Sequence, residues 1–426
     1  MARASATGRR YARARLTARG HALVAAGVAL TVAGVALGYG DIIRVGLFLL
    51  LLPLLSVLLA SRREVQLQLT RTIAPVVLRP DEPAPVRAVF TNRSGRASRF
   101  GAAQDRIDPS LGDRPRYTLP SIPARGTAVV EYTVRGRARG MHTLGPTTIE
   151  HPDPFGMCSA DAVIPADDKV LVLPQTFPLV RHRLPYASGG EGDSGHSIAL
   201  HGEQDVSIRA YVEGDELRRI HWAATAHRGE LMVRHEDRPA YKHALLMYDA
   251  RASAHRIDGA YSSFEWTISA TASIGLLLHD LNYQTHLLGP EMLDQERYET
   301  ASSSAEILRD LAEADECDDG MHAQVLAQAA RTVAGGTTMV AVLTDRPAAG
   351  LRQVAASCGR GAVGIAIIVD TDAYQRDSDS EGADAVAVAR EFQGSGWRTV
   401  VVGPRTTIPT AWRSVAGTAP VGEGMR

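Results

Sequence analysis

The sequence predicts a multidomain chain: an N-terminal transmembrane helical hairpin, an Ig-like β-sandwich, and a doubly wound α/β domain. Three observations predict it. Two apolar runs lie between Arg-rich flanks before Glu64. Apolar and polar residues then alternate with period two, punctuated by Pro and Gly, to about Pro174. From His243 onward, apolar runs of strand length alternate with segments of helical period, which is the pattern of a parallel sheet covered on both faces. A length of 426 residues accommodates two or three domains.

The hairpin follows from length and charge. Residues 1–21 carry Arg3, Arg9, Arg10, Arg13, Arg15 and Arg19 and no acid, and read as a basic cytoplasmic N-terminus. Residues 22–61 hold the two runs, Ala22 to Leu37 and Ile42 to Ala60, separated by Gly38-Tyr39-Gly40-Asp41. Crossing the hydrocarbon core takes about 20 residues. So short a connection permits only an antiparallel helical pair. Arg62 and Arg63 close the second run, so both outer flanks are basic and both termini are expected in the cytoplasm of a cell membrane. The competing reading, a secretory signal peptide ending at Gly38, is opposed by the immediate second run.

Residues 62–178 are expected to form the β-sandwich. Val65, Leu67 and Leu69 alternate with polar residues, as do Val86, Ala88 and Phe90. Val129 to Val134 and Thr147 to Ile149 are further strands, and Asn92-Arg-Ser-Gly95 is a turn. Asn92-Arg-Ser94 also fits a glycosylation sequon, but reads as turn chemistry on a cytoplasmic domain. Asp153-Pro-Phe-Gly156 reads as a tight turn with Phe155 plugged into the core.

Residues 179–242 begin with a loop rich in Gly189, Gly190, Gly192 and Gly195 and continue into a charged unit, Arg209 to Glu236. There Gly214 makes a sharp entry and Asp215 is a good N-cap for a helix from Glu216, with Leu217, Ile220 and Ala224 at helical spacing. Gly229 sits where a C′ residue ends the helix, and Leu231 to Arg234 alternate as a short strand. The unit resembles the bacterial family called domain of unknown function 58, whose signature runs Arg-x-Tyr-x-x-Gly-Asp-x-x-Arg-x-Ile-x-Trp-x-x-(Thr/Ser)-Ala. Arg209, Tyr211, Gly214, Asp215, Arg218, Ile220, Trp222, Thr225 and Ala226 match it. His227 departs from the family's usual Arg, and Arg228 follows it. Asp153-Pro-Phe-Gly156 is similar to a family element that follows its β domain.

Residues 243–405 are the expected α/β domain and 406–426 a tail. In such sheets ligands sit at the C-terminal strand ends. Asp249 ends the strand from His243, and Asp345 ends the strand Thr338 to Asp345. Asp249-Ala-Arg-Ala-Ser253 resembles the Asp-x-Ser-x-Ser of von Willebrand factor A domains, so the resemblance implies a von Willebrand factor A-like domain and a site for Mg²⁺. Ser253 matches the second Ser, Asp345 the distal acid, and Ser302, Ser303 or Ser304 the Thr of another loop. Arg251 stands at the first Ser. A guanidinium has donors and no lone pair, so it cannot ligate a cation, and it is expected to pair with Asp249 or Asp345 and leave no metal or cofactor there.

Other chemistries find little support. The net charge of -1 implies no nucleic-acid partner. Cys158, Cys317 and Cys358 form no Cys-x-x-Cys pair and no activated thiol. Gly359-Arg-Gly361-Ala-Val-Gly364 fits the dinucleotide pattern but precedes a strand instead of following one. His221, His227 and His235 show no ligand spacing and read as polar surface. No residue set forms a catalytic constellation. The expectation is a non-enzymatic, membrane-anchored scaffold. The family resemblance implies a MoxR-type AAA+ ATPase as partner. The alternative is a metal-dependent enzyme or hydrolase using Asp249 and Asp345.

Overall fold

The computed structural model describes residues 13–61, 66–98, 101–153, 155–165, 167–181, 206–211, 220–236, 242–258, 261–332, 337–357, 363–376 and 383–417. Two compact units emerge. One comprises the described residues up to Gln175 with Leu308–Ala314; the other, those of Thr176–Ile307 and Asp315–Arg426.

The first unit opens with strand β1 (Arg13–Leu16), then helices α1 (Ala18–Leu37) and α2 (Gly40–Ser61). Both helices are long and apolar enough to cross a membrane. Thr17 caps α1, so the helix begins before the Ala22 expected from hydropathy, and the basic arm supplies β1 to the β region. Gly38, at φ 77°, reverses the chain between them. Gly20, Gly27 and Gly34 are buried along α1, where α2 and the Met157 carbonyl approach too closely for a side chain.

Nine strands follow: β2 (Leu67–Ile73), β3 (Val77–Leu78), β4 (Pro83–Asn92), β5 (Gly101–Ile107), β6 (Arg116–Leu119), β7 (Thr127–Arg135), β8 (Gly140–Pro152), β9 (Cys158–Ile164) and β10 (Asp168–Val172). One antiparallel sheet has order β2-β4-β7; the other runs β1-β9-β8-β10-β3, with β5 pairing both β8 and β6. The alternating residues Leu67, Leu69, Ala88 and Phe90 of the first sheet share a core with Ala103, Leu119, Ile149 and Ile164 of the second. Asn92 is buried, and its amide donates to the Arg96, Ile122 and Pro123 carbonyls, which is the turn role expected of the sequon. Between the sheets lies a buried ion cluster that alternation does not announce. Arg71 of β2 donates to Asp105 at 3.0 Å and to Asp168 at 2.8 Å, and Tyr132 donates to Asp105 at 2.5 Å. Phe155 corrects its expected role. The turn exists, with Gly156 N–H on the Asp153 carbonyl at 3.1 Å, but Phe155 is 69% exposed and plugs nothing.

In the second unit β11 (Val206–Ala210) pairs antiparallel with β12 (Met232–Glu236), and α3 (Trp222–Arg228) lies between them in sequence. The expected helix start at Glu216 lies outside the described residues, and Ile220 and His221, which the helical spacing included, are not helical. Ile220 bridges Val233, His221 N–H donates to the Met232 carbonyl, and backbone held in a bridge cannot be helical. Gly229 ends α3 at φ 75°, as its position implied. The Gly-rich loop and residues 212–219, including Gly214, Asp215 and Arg218, lie outside the described residues.

The rest is α/β: β13 (Lys242–Tyr248), a small hairpin β14 (Ile257–Asp258) and β15 (Tyr261–Ser262), α4 (Ser263–Asp280), β16 (Tyr283–Leu288), α5 (Pro290–Asp294), α6 (Ser304–Glu313) and α7 (Asp319–Thr332). There follow β17 (Thr338–Thr344), α8 (Leu351–Ala355), β18 (Val363–Val369), α9 (Thr371–Arg376), α10 (Ala383–Gly394), β19 (Arg398–Val402) and α11 (Ile408–Ala416). The sheet is parallel throughout, in order β16-β13-β17-β18-β19. Its central strands bury both faces; every residue of β17 is buried. Leu245, Met247, Leu343 and Ile368 pack with Val325 and Leu326 of α7, Val354 of α8 and Phe392 of α10. The expected 406–426 tail is corrected over its first part. Ile408, Ala411, Trp412, Val415 and Ala416 recur at helical spacing and are buried, so α11 belongs to the core.

Candidate functional site

Numbered by their order along the chain, the five parallel strands run 2-1-3-4-5 across the sheet. The connections therefore reverse direction between β13 and β17, and open α/β sheets take ligands beyond the strand ends at such a point. Asp249, Asp345 and Asp370 follow β13, β17 and β18, and each is only 1% exposed. Sequence alone identified the first two.

Asp249 does not face an open crevice. The turn after β13 closes with Ala254 and His255 N–H groups on the Arg251 carbonyl, and it folds Arg251 back onto the carboxylate. Arg251 Nη2 donates to Asp249 Oδ2 at 2.7 Å and Nε to Oδ1 at 3.0 Å, a two-point fork. The Arg251 backbone N–H reaches Oδ1 at 3.1 Å, and the Thr344 hydroxyl donates to Oδ2 at 2.6 Å. Arg251 spends its other donors on the Pro347 and Arg346 carbonyls and on Thr344 Oγ1. Of the two acids offered to it, the guanidinium takes Asp249. Burial by itself would raise the Asp249 pKa. The charge of His322, and the bonds and charge of Arg251, outweigh it and hold the carboxyl well below the usual range.

These residues do not fit a divalent cation. Both Asp249 oxygens are committed to donors, and a fixed positive charge occupies the position beside them. Ser253 turns away to donate to Asp319 at 2.5 Å. Ser303 spends its hydroxyl on Glu306 at the start of α6, so it does not serve as the third-loop hydroxyl for Asp249. The hydroxyls that do meet the acids are Thr344 on Asp249 and Thr371, which donates to Asp345 Oδ1 at 2.6 Å. Among the described residues, no group of three His, Cys, Asp or Glu side chains is arranged to hold a metal.

Two histidines complete the surroundings. His255 contacts the Asp249 carbonyl at 2.9 Å and Ser263 Oγ at 3.0 Å. His322 of α7 is 1% exposed, its Nε2 is 3.6 Å from Asp249 Oδ1, and neither ring nitrogen has a hydrogen-bond partner. Burial lowers the pKa of both rings against the pull of Asp249. Cys317 bridges Arg251 through the backbone, and burial with the Asp249 charge pushes its thiol up to about 11. A thiol so protonated is a poor nucleophile. Asp345 keeps Oδ2 without a partner, and burial raises its pKa. Asp370 caps α9 by accepting from Ala373 N–H. His322 lies on α7, far from Asp249 in the chain, so no spacing signals it; His255 is six residues from Asp249, in the turn that follows β13.

The signature residues form a second surface. His221 caps α3, its ring accepting from Ala224 N–H at 3.1 Å, and the Thr225 hydroxyl accepts from Met232 N–H at 3.0 Å. None of the α3 residues is buried, and Trp222 is 69% exposed. Leu231 is exposed while Met232 and Val233 are buried, the reverse of the simple alternation expected for Leu231.

Residues 207–375 match the family model described as "Protein of unknown function DUF58". This segment belongs to the DUF58 family. It takes in the β11–α3–β12 unit and the sheet as far as α9, and so contains both the signature unit and the Asp249–Arg251 pair. The chain is 27% identical over 150 residues to the uncharacterized protein YeaD of Bacillus subtilis (strain 168), covering 34% of this chain and 35% of that protein. Among solved structures, the CARDB domain of PF1109 from Pyrococcus furiosus is 15% identical and covers 25% of this chain and 93% of its own, at a TM-score of 0.19. The C-terminal domain of wzt is 10% identical and covers 24% of this chain and 70% of its own, at a TM-score of 0.18. Likenesses that low say nothing of the DUF58 segment's activity.

Proposed function

We propose that the protein is a non-enzymatic interaction scaffold of the cell membrane. In this reading the hairpin spans the bilayer, and both termini and the soluble domains are cytoplasmic. An Ig-like β-sandwich and a von Willebrand factor A-like domain then present surfaces to a MoxR-type AAA+ ATPase that remodels envelope-related complexes. One observation carries the reading: Arg251 satisfies Asp249 from within, at the point where such a sheet would otherwise take a ligand. The exposed Trp222 in the signature adds to it, since an exposed aromatic with little packing duty is a common binding anchor.

Binding of the full chain in lipid nanodiscs to a MoxR-type ATPase tests the reading. Trp222→Ala is expected to abolish binding without changing the thermal midpoint; unchanged binding removes the signature surface from the proposal. The second reading, an enzyme working through Asp249 and Asp345, draws on the half-satisfied, raised Asp345 carboxyl. Calorimetry showing tight Mg²⁺ or Mn²⁺ binding that Asp249→Ala removes would favour it.

A further inference from the structure

The Asp153–Cys158 turn has no part in the sheet-edge site, yet side chains from both α1 and α2 tether it. On one side Ser56 of α2 donates to Asp153 Oδ2 at 2.5 Å, and its hydroxyl lies 3.2 Å from Cys158 Sγ. On the other side Thr17, the N-cap of α1, donates its N–H to the Met157 carbonyl at 2.9 Å and its hydroxyl to the Gly156 carbonyl at 2.6 Å. Gly20 lies against the same Met157 carbonyl, which would stand 2.2 Å from any Cβ there. Within the turn, the Asp153 carboxylate also accepts from Cys158 N–H at 3.1 Å. The turn is thus clamped between the start of α1 and the late part of α2.

That clamp lies at the end of the hairpin away from Gly38. The 20 residues of α1 rise about 30 Å, the thickness of a hydrocarbon core, so Thr17 marks the bilayer boundary when α1 spans it. Phe155 is held beside this boundary and is 69% exposed. Among the described residues of the β region it is the one aromatic in the exposed large apolar set. Arg15 and Arg19 are exposed at the same level, and an Arg19 guanidinium nitrogen lies 3.4 Å from where a Gly156 Cβ would be. Aromatic rings and Arg side chains are the residues that settle at the headgroup level.

We propose that the Asp153–Cys158 turn is a membrane foot: Phe155 enters the boundary between headgroups and acyl chains, with Arg15 and Arg19 at the lipid phosphates. The foot rests on the membrane-spanning reading of the hairpin. It continues the apolar surface of α1 and α2 onto the β region and fixes that region's orientation on the bilayer. The fold itself gains little from Phe155, since the ring is exposed; the lipid is what covers it.

Phe155→Trp in the full chain tests this. The four native tryptophans are Trp222, Trp266, Trp397 and Trp412, so the wild type supplies the background and the added emission belongs to the turn. Vesicles of phosphatidylcholine and phosphatidylglycerol, brominated near the top of the acyl chains, are expected to quench that added emission relative to unbrominated vesicles. Aqueous iodide is expected to leave it largely unquenched. If the chain resists alkaline carbonate extraction yet the added emission survives bromination, the foot is overturned while the hairpin stands. Protection from both quenchers overturns it in favour of a protein occupant. Extraction by carbonate overturns the hairpin reading and the foot with it.

Discussion

Arg251 and Asp249 are both nearly removed from water, at 4% and 1% side-chain exposure, and each is tolerable only because the other is there. Arg251→Ala leaves a buried carboxylate among donors that no longer neutralise it. It is expected to lose about 3–5 kcal/mol in urea denaturation, the usual result of breaking a buried pair. Asp249→Asn with Arg251→Met is expected to lose less than the sum of the single changes, because neither charge is then left alone. The two buried histidines set a pH dependence. Their folded pKa values lie below the ordinary value near 6.5, burial being the main cause. The unfolded chain therefore binds more protons below about pH 6.5. Stability is full above that pH and is lost as the pH falls through the folded values. His322→Leu is expected to flatten the slope of urea midpoint against pH below about 6.5.

Elements meet where small residues let them. In the hairpin a Cβ on Gly46 would lie 2.4 Å from Thr31 Oγ1, and one on Gly27 2.8 Å from Leu50 Cγ. Such close approach gives helix pairs in lipid their packing attraction. Gly46→Val is expected to force α1 and α2 apart and to destabilise the detergent-solubilised chain by about 1–3 kcal/mol, the usual range for overpacking. Leu47→Val, at a position 54% exposed, is expected to leave the thermal midpoint unchanged. The hairpin, the period-two strands of the β region and the parallel strands were all legible in the chain, because each is a local pattern repeated over many residues. The start of α3 was not. Leu217, Ile220 and Ala224 carry helical spacing, but the bridge from Ile220 to Val233 overrides it, and a bridge partner is not a local property.

At the scale of the molecule, each unit has its own core, and every tryptophan lies in the second. Tryptophan emission is therefore expected to follow only that unit on denaturation. Phe90→Ala, in the core of the β region, is expected to cost about 3–5 kcal/mol. Circular dichroism should show the loss while the tryptophan transition stays in place; a shifted tryptophan transition would mean that the units unfold together.

Local pattern carried the strands and most helices, and that acids end β13 and β17. Hydropathy period and charge placement are carried by neighbours in the chain. Tertiary structure alone decided three matters. It chose Asp249 over Asp345 as the partner of Arg251, because the turn at Ala254 and His255 folds the guanidinium back onto its own strand end. It brought His322 from α7 to the same carboxylate. It left Phe155 outside the core, on a turn between β8 and β9 that the ends of α1 and α2 also hold. The last two depend on contacts between residues far apart in the chain, which no local pattern encodes; the first depends on how a short turn closes, and spacing left both acids open to Arg251.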